Sequence, residues 1–354
     1  MQTQSKFRLL VVRLGAMGDI LHALPAVTAL RKAHPSWVID WVIEPRWRAL
    51  LSAPQASARD ATLQPIVDRL HFASTKDWRR KPLSSGTLQQ IRQLRSGLRE
   101  GHYDVVLDLQ GSIRSAILGR MAGARRRIGE AEPRERPAHW FFTERVATRG
   151  AHVIEQDVEL ASAIAGDALE PVQPILPVDP DAEAWAESLL GPSSQPIVLI
   201  NPGAGWGAKR WPPARYGLVA RSLALRGLRI LVNAGPGEVA LAGEIVQHSG
   251  GMASVLAPSL EQLIAVTRRV ALVIAGDTGP LHLACALGKP VVGIYGPTDP
   301  SRNGPFGSPL RVLRHPESRR DHSRHDAPEA GLLTIQPEDV LRAANELLYP
   351  EASA

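Results

Sequence analysis

The chain has 354 residues, of which 44% are hydrophobic, and this length exceeds one ordinary core and predicts two domains. Lys and Arg number 41 against 35 Asp and Glu, so the formal net charge of +6 favours anionic partners such as phosphates or acidic lipid headgroups. A single cysteine, Cys285, excludes an intrachain disulfide. No apolar stretch approaches the ~18–20 residues that cross a bilayer, and we expect a cytoplasmic protein.

The first half of the sequence alternates apolar strands with segments of helical periodicity. The strands are uniformly apolar, which is typical of a parallel sheet covered on both faces. The predicted strands are residues 9–12, 37–43 and 104–109, and the predicted helices are residues 20–30, 87–98 and 153–165. Residues 127–151 are basic and irregular, and the pattern predicts no regular element there.

A proline-rich segment at residues 170–180 precedes a second alternating set. Its predicted strands are residues 197–200, 228–233, 270–275 and 291–295, and its predicted helices are residues 214–225, 238–248, 281–287 and 335–348. Residues 316–331 are polar and predict a mobile loop. The predicted fold class is α/β, with two Rossmann-like doubly wound lobes that face a central cleft. The predicted divisions are an N-terminal lobe at 1–175, a linker at 176–195, a C-terminal lobe at 196–334 and a closing helix at 335–354.

Three glycine-rich turns, at residues 15–18, 203–207 and 276–279, each follow a predicted strand. The first lacks the opening glycine of the dinucleotide fingerprint, and the second lacks the spacing and the Ser or Thr of a Walker loop. Each turn is also explained by a tight strand-to-helix connection that binds nothing. The glycines alone therefore leave the ligand open.

Residues 277–282, Asp-Thr-Gly-Pro-Leu-His, are more informative because they follow an apolar strand and open a helix with Pro280 in its first turn. The free amides and the positive dipole end of such a helix make an anion site where a diphosphate would bind. In the simpler interpretation, Asp277 or Thr278 only caps the helix.

Two charged residues near these turns are candidates for chemistry. Lys209 lies in a glycine-rich loop between two tryptophans, where its ammonium would neutralise a departing phosphate. Asp19 enters the first helix and is a candidate general base, which transfer to a sugar hydroxyl requires. His22 lies one turn along the same face and would orient Asp19. The simpler interpretations are a solvated lysine, a helix-start acid and a satisfied histidine.

Six blocks of the sequence are specific enough to compare with a protein family. They are residues 13–26 (RLGAMGDILHALPA), 40–44 (DWVIE), 108–115 (DLQGSIRS), 209–212 (KRWP), 277–283 (DTGPLHL) and 295–300 (YGPTDP). In this order they resemble the signatures of the ADP-heptose lipopolysaccharide heptosyltransferases, and heptosyltransferase I most closely. The chain has Ala204, Gly205 and Trp206 before Lys209, where heptosyltransferase I often has hydroxyl residues, and this difference leaves the acceptor open.

The resemblance implies an inverting glycosyltransferase of the GT-B fold that moves heptose from ADP-heptose to the Kdo residue of Kdo-lipid A, in lipopolysaccharide inner-core biosynthesis. It implies that Asp19 is the base and that Lys209 stabilises the leaving ADP, with no metal and no cofactor beyond the donor substrate. The implied donor-binding residues are Ala204, Gly205, Lys209, Glu238, Asp277, Thr278, Gly279, Leu281 and His282. The implied acceptor-binding residues are Gly18, His22, Arg79, Lys81, Gln110, Arg134 and Arg136. The implied location is peripheral, on the cytoplasmic face of the inner membrane.

Several alternatives remain open at this point. A related transferase would add a later core heptose or another sugar, and a nucleotide-sugar epimerase would share the two-lobed architecture. A basic module that binds nucleic acid or membrane fits the charge balance, but aromatic residues are only 5% and no nucleic-acid motif is present, so we predict no nucleic-acid partner. His322 and His325 have helical spacing, yet solvated side chains explain them better than a metal site does.

Overall fold

The computed structural model describes residues 6–192, 194–318 and 327–350. The chain divides into two compact units, unit 1 at Met1–Val178 and unit 2 at Asp179–Ala354. Each unit contains one six-stranded sheet. His322 and His325 lie outside the described residues.

Unit 1 alternates strands and helices along the chain. Its strands are β1 (Arg8–Val12), β2 (Val38–Ile43), β3 (Arg69–Phe72), β4 (Val105–Asp108), β5 (Arg126–Glu130) and β6 (Glu144–Val146). Its helices are α1 (Met17–Ala33), α2 (Thr75–Arg80), α3 (Ser85–Glu100), α4 (Ile113–Met121) and α5 (Val153–Ala165), with 3-10 turns at Pro45–Leu50 and Arg136–Phe141.

Unit 2 repeats this alternation. Its strands are β7 (Ile197–Asn201), β8 (Arg229–Asn233), β9 (Ala253–Leu256), β10 (Leu272–Gly276), β11 (Val291–Tyr295) and β12 (Leu310–Arg314). Its helices are α6 (Pro180–Leu190), α7 (Pro213–Leu225), α8 (Val239–His248), α9 (Leu260–Thr267), α10 (Gly279–Ala286), α11 (Pro300–Asn303), α12 (Ala330–Thr334) and α13 (Pro337–Leu348), with a 3-10 turn at Gly207–Lys209.

The two sheets have the same topology. The strand order is β3-β2-β1-β4-β5-β6 in unit 1 and β12-β11-β10-β7-β8-β9 in unit 2, and every pair of neighbours is parallel. Counted within each unit, this is the order 3-2-1-4-5-6 of a doubly wound Rossmann fold. The predicted fold class of two Rossmann-like α/β lobes is confirmed.

The central strands are buried because they are apolar along their whole length, and helices cover both faces. All four residues from Leu9 to Val12 of β1 have no exposed surface. In unit 2, Val198 and Ile200 of β7 pack in one cluster with Ile274 of β10 and Val292 of β11. Each unit therefore contains a core of its own.

The structure adds elements that the sequence pattern missed. The stretch 127–151, predicted as irregular, contributes most of β5 and all of β6. The segment 176–195, predicted as a linker, contains α6. The side chain of Asp179 caps the N-terminus of this helix, and the helix packs against α9. Helix α12 begins inside the predicted loop at 316–331. None of the helices in the described parts of the chain is both long and apolar enough to cross a bilayer.

Candidate functional site

Both sheets have a point where the chain reverses its winding direction, and ligands of such folds bind beyond the carboxyl ends of the strands there. In unit 1 this point lies between β1 and β4, and in unit 2 it lies between β7 and β10. Asp19 follows β1 and Gln110 follows β4, whereas Lys209 follows β7 and Asp277 follows β10. The predicted residues therefore lie at the ligand edge of each sheet.

Asp19 is held in the first turn of α1 with its carboxylate oriented. Its Oδ2 accepts a hydrogen bond from the Ala16 N–H at 3.0 Å, and its Oδ1 lies 3.5 Å from Arg13 Nη2. The buried Arg13 also donates from Nε to the Asp19 carbonyl oxygen at 3.2 Å and from Nη1 to the Leu109 carbonyl. The Asp19 side chain is 38% exposed, so its carboxylate is open to solvent.

The loop after β4 is tied to the loop after β1. Gln110 Oε1 accepts a hydrogen bond from the Leu14 N–H at 3.0 Å. Asp108 Oδ1 accepts from the N–H groups of Gln110 and Gly111 at 2.8 and 2.9 Å. Burial raises the pKa of Asp108 to about 6, although these hydrogen bonds oppose the shift. Gln110 therefore joins the two loops instead of pointing freely into solvent.

The predicted acceptor residues fall into two groups. His22 is buried on α1, and its ring packs edge to face on that of His152 at a centroid distance of 5.5 Å. Gly18 lies in the first turn of the same helix. The basic residues are exposed on segments that follow β3 and β5: Arg79, Lys81, Arg134 and Arg136. Their binding roles stay predictions.

Lys209 is not a solvated lysine. It ends the 3-10 turn after β7, and its side chain is only 10% exposed. Its Nζ forms an ion pair with Asp277 Oδ2 and lies 4.2 Å from the centre of the Trp206 ring. The carboxylate and the aromatic face together hold the ammonium beside the end of β10.

Asp277 is not the cap of α10. The N-cap residue is Thr278, which makes no side-chain cap and instead donates to the Gly276 carbonyl at 3.2 Å. Asp277 Oδ1 lies 3.4 Å from His282 Nε2, one turn into the helix. Burial by itself raises the pKa of Asp277, but the hydrogen bond with His282 and the charge of Lys209 outweigh it and hold this pKa well below its usual range. Asp277 is therefore an ionised carboxylate between two basic side chains.

The other predicted donor residues surround this ion pair. Leu281 is buried in α10, and Gly279 is its first residue. Glu238 lies at the end of the loop after β8, where its Oε2 accepts from the Gly235 N–H at 3.0 Å. A Cβ atom at Gly203 would overlap the Glu238 carboxylate, so this glycine permits the loop of Ala204 and Gly205 to approach it. Their contacts with a donor stay predictions.

Sequence reasoning missed the residues that hold the candidate catalytic groups. Arg13 lies in the first resembling block but is not among the predicted site residues, and its contacts with Asp19 are visible only in the structure. Asp157 of α5 was also missed; it is 3% exposed, and among the described residues its Oδ2 has no hydrogen-bond partner. No local motif marks Asp157, because it is far from Asp19 and Arg13 in the sequence.

Asp157 predicts an unusual dependence of stability on pH. Burial raises its pKa to about 7, with nearby Asp19 and Glu130 adding to the shift and Arg13 opposing it. The native state therefore binds this proton more tightly than the unfolded chain, and the free energy of unfolding should fall as the pH rises from about 4 to about 7. Asp157→Asn should remove this loss and be more stable than the wild type at pH 8 by up to about 4 kcal/mol.

Urea unfolding of both proteins at pH 5 and pH 8 measures this effect. The control is Asp167→Asn, since Asp167 is exposed just beyond α5. A difference between Asp157→Asn and the wild type that is the same at both pH values would contradict the prediction.

The comparisons with known proteins identify the family of the chain. The family described as glycosyltransferase family 9 (heptosyltransferase) matches residues 91–331. Lipopolysaccharide heptosyltransferase 1 of Escherichia coli (strain K12) is 28% identical over 344 residues, covering 96% of this chain and 100% of that protein. Lipopolysaccharide heptosyltransferase 2 of the same strain is 26% identical over 375 residues, covering 97% and 99%. The structure of E. coli heptosyltransferase WaaC with ADP-2-deoxy-2-fluoro heptose has a TM-score of 0.76 at 25% identity, covering 98% and 100%.

The protein is an enzyme of the glycosyltransferase class with the GT-B type of α/β fold. This follows from the two doubly wound units, the charged residues at the carboxyl ends of their strands, and these similarities. The chain belongs to glycosyltransferase family 9 (heptosyltransferase). The predicted resemblance is confirmed, and so is the prediction of a glycosyltransferase enzyme.

Proposed function

We propose that this enzyme transfers heptose from ADP-heptose to the Kdo residue of Kdo-lipid A with inversion at the anomeric carbon. The observation that carries the proposal is the cluster of Lys209, Asp277 and His282 at the start of α10, where a diphosphate would meet the Gly279 N–H and a positioned cation. The similarity to a heptosyltransferase solved with an ADP-heptose analogue supports this donor.

The donor half of the reaction needs charge stabilisation at the leaving group. As the bond between the anomeric carbon and the phosphate oxygen breaks, its electron pair goes to ADP, and negative charge grows on the diphosphate. Lys209 and the Gly279 N–H at the start of α10 would meet this charge, and such preorganised groups are often the largest contribution to catalysis. In this proposal no metal ion takes part.

The acceptor half needs a base. Asp19 would take the proton from the Kdo hydroxyl, whose oxygen attacks the anomeric carbon on the face opposite ADP. The two oxygens of Asp19 are already oriented by Ala16 and Arg13, so the carboxylate does not reorganise when the substrate binds. The exposed basic residues of unit 1 would bind anionic groups of the acceptor: Arg79, Lys81, Arg134 and Arg136. We also propose that the enzyme is peripheral on the cytoplasmic face of the inner membrane.

The test is ADP release by the purified protein with ADP-heptose. Parallel reactions contain Kdo-lipid A, heptosylated core or no acceptor, and mass spectrometry of the lipid product confirms heptose addition. We expect release with Kdo-lipid A that exceeds both other reactions by at least roughly tenfold. Equal release with and without acceptor would overturn the proposal.

A second candidate acceptor is heptosylated core. The 26% identity to lipopolysaccharide heptosyltransferase 2 over nearly the whole chain supports heptosylated core as this second candidate. Release that depends on heptosylated core alone would establish this candidate and exclude Kdo as the acceptor sugar.

A further inference from the structure

A chain of polar contacts crosses the ligand edge of unit 1 outside the residues considered so far. Glu44 directly follows β2 and is buried, and Thr75 opens α2 and is buried as well. Thr75 Oγ1 donates to Glu44 Oε1 at 2.9 Å, and Arg114 Nη1 donates to Thr75 Oγ1 at 3.2 Å. Arg46 Nη2 pairs with the second oxygen of Glu44 at 2.8 Å. The buried Glu44 carboxylate thus holds Arg46 directly and is linked to Arg114 through the Thr75 hydroxyl.

These contacts lie next to the loop that leads to Asp19. The Glu44 N–H donates to the Leu14 carbonyl oxygen at 3.1 Å. The guanidinium of Arg46 stacks over the Trp47 ring at 4.5 Å, and a Cβ atom at Gly15 would lie only 2.8 Å from Trp47 Nε1. The Glu44 segment therefore packs directly on the turn between β1 and α1.

The charges of Glu44, Arg46 and Arg114 do not cancel. Arg46 pairs with the Glu44 carboxylate, whereas Arg114 donates to the Thr75 hydroxyl and has no acidic partner among the described residues. Arg114 is exposed in the first turn of α4, and the Arg46 side chain is 47% exposed. Glu44 is already satisfied by Thr75 and Arg46, so one positive charge and several N–H donors remain for an external anion. Arginine binds carboxylate and phosphate groups with paired hydrogen bonds.

We propose that Arg46 and Arg114 bind one anionic group of the acceptor, a carboxylate or a phosphate, next to the base loop. Glu44 and Thr75 are positioning residues that fix the two guanidinium groups. The inference rests on the proposed function for the identity of the acceptor, but the anion site itself follows from the contacts of unit 1.

The test measures binding of Kdo-lipid A in detergent micelles by the change in tryptophan fluorescence, in parallel with ADP release. Arg114→Ala and Arg46→Ala are each expected to weaken acceptor binding roughly 10- to 100-fold, the loss typical of hydrogen bonds to charged groups. The KM for ADP-heptose should stay unchanged. Arg120→Ala is the matched control, because Arg120 is exposed in the last turn of the same helix and lies 6.0 Å from the Phe141 ring.

A second acceptor distinguishes the sources of the anion. If the two arginines bind a lipid A phosphate, the variants and the wild type will bind dephosphorylated Kdo-lipid A equally. If they bind a Kdo carboxylate, the loss persists on that acceptor. Thermal unfolding of each variant confirms that it is folded.

The inference is overturned if both arginine variants bind Kdo-lipid A like the wild type, if Arg120→Ala loses as much, or if the wild type binds neither acceptor. Binding by the wild type without ADP release would overturn the proposed function and leave the anion site standing. A loss in kcat of the arginine variants with unchanged acceptor binding would also contradict the anion site.

Discussion

Replacing Asp19 with Asn is expected to lower kcat roughly 10²- to 10⁴-fold, because the amide cannot take the proton of the acceptor hydroxyl. The asparagine oxygen can still accept the hydrogen bond that the Ala16 N–H donates at 3.0 Å. The turn between β1 and α1 keeps this contact, but the amide Nδ2 replaces the oxygen that lies 3.5 Å from Arg13 Nη2, so thermal unfolding checks that the variant is folded. Both KM values should change little. The measurement is steady-state ADP release at saturating ADP-heptose and acceptor.

The control for this substitution is Asp77→Asn. Asp77 also lies in the first turn of a helix, α2, but its side chain is 75% exposed, and its contact among the described residues is an ion pair with Arg80 at 4.0 Å. We expect this variant to keep the wild-type rate. If Asp19→Asn kept a kcat within a few-fold of the wild type, Asp19 would not be the base.

Lys209→Ala is expected to lower kcat roughly 10²- to 10³-fold, since it removes a preorganised cation from the leaving group. Lys209→Arg keeps the charge but changes its geometry, and we expect an intermediate rate. Lys289→Ala is the control, because Lys289 is a partly buried lysine in the same unit, just beyond the opposite end of α10. Single-turnover measurements of ADP formation separate this step from product release.

Lys209→Ala should also destabilise unit 2. Without Lys209, the mostly buried carboxylate of Asp277 keeps His282 as its one basic partner among the described residues. Removing one partner of such a pair is usually costly. Rates are therefore compared at a temperature where urea titration shows every variant to be folded. A Lys209→Ala protein that is folded and turns over at the wild-type rate would remove Lys209 from the mechanism.

The sequence predicted the central strands well and the edge strands poorly. Strands β1, β7 and β10 are continuous apolar runs because they are covered on both faces, and this pattern is visible locally. Strands β3, β6 and β12 contain arginines and exposed positions at sheet edges, so their pattern resembles a loop. Helix α6 was hidden in the same way, because Pro180 suggests a linker but is also favoured in the first turn of a helix.

The candidate site was predictable where one short block contains the chemistry. Asp19, Lys209 and Asp277 follow strands that the apolar pattern had already indicated. Their partnerships were not predictable, because Lys209 and Asp277 are 68 positions apart and the sequence does not say which loops meet. The contact between Thr75 and Arg114 likewise depends on two helices that the pattern did not predict.

The repeated strand order has a consequence for how this enzyme can change. Each unit has its own sheet, its own core and its own set of loops for one of the two substrates in the proposed reaction. Substitutions that alter acceptor choice can therefore accumulate in one unit without disturbing the recognition of the donor. The border at Val178 and Asp179 is the natural joint for chimeras, in which a relative's first unit would bring its own acceptor preference to this donor site.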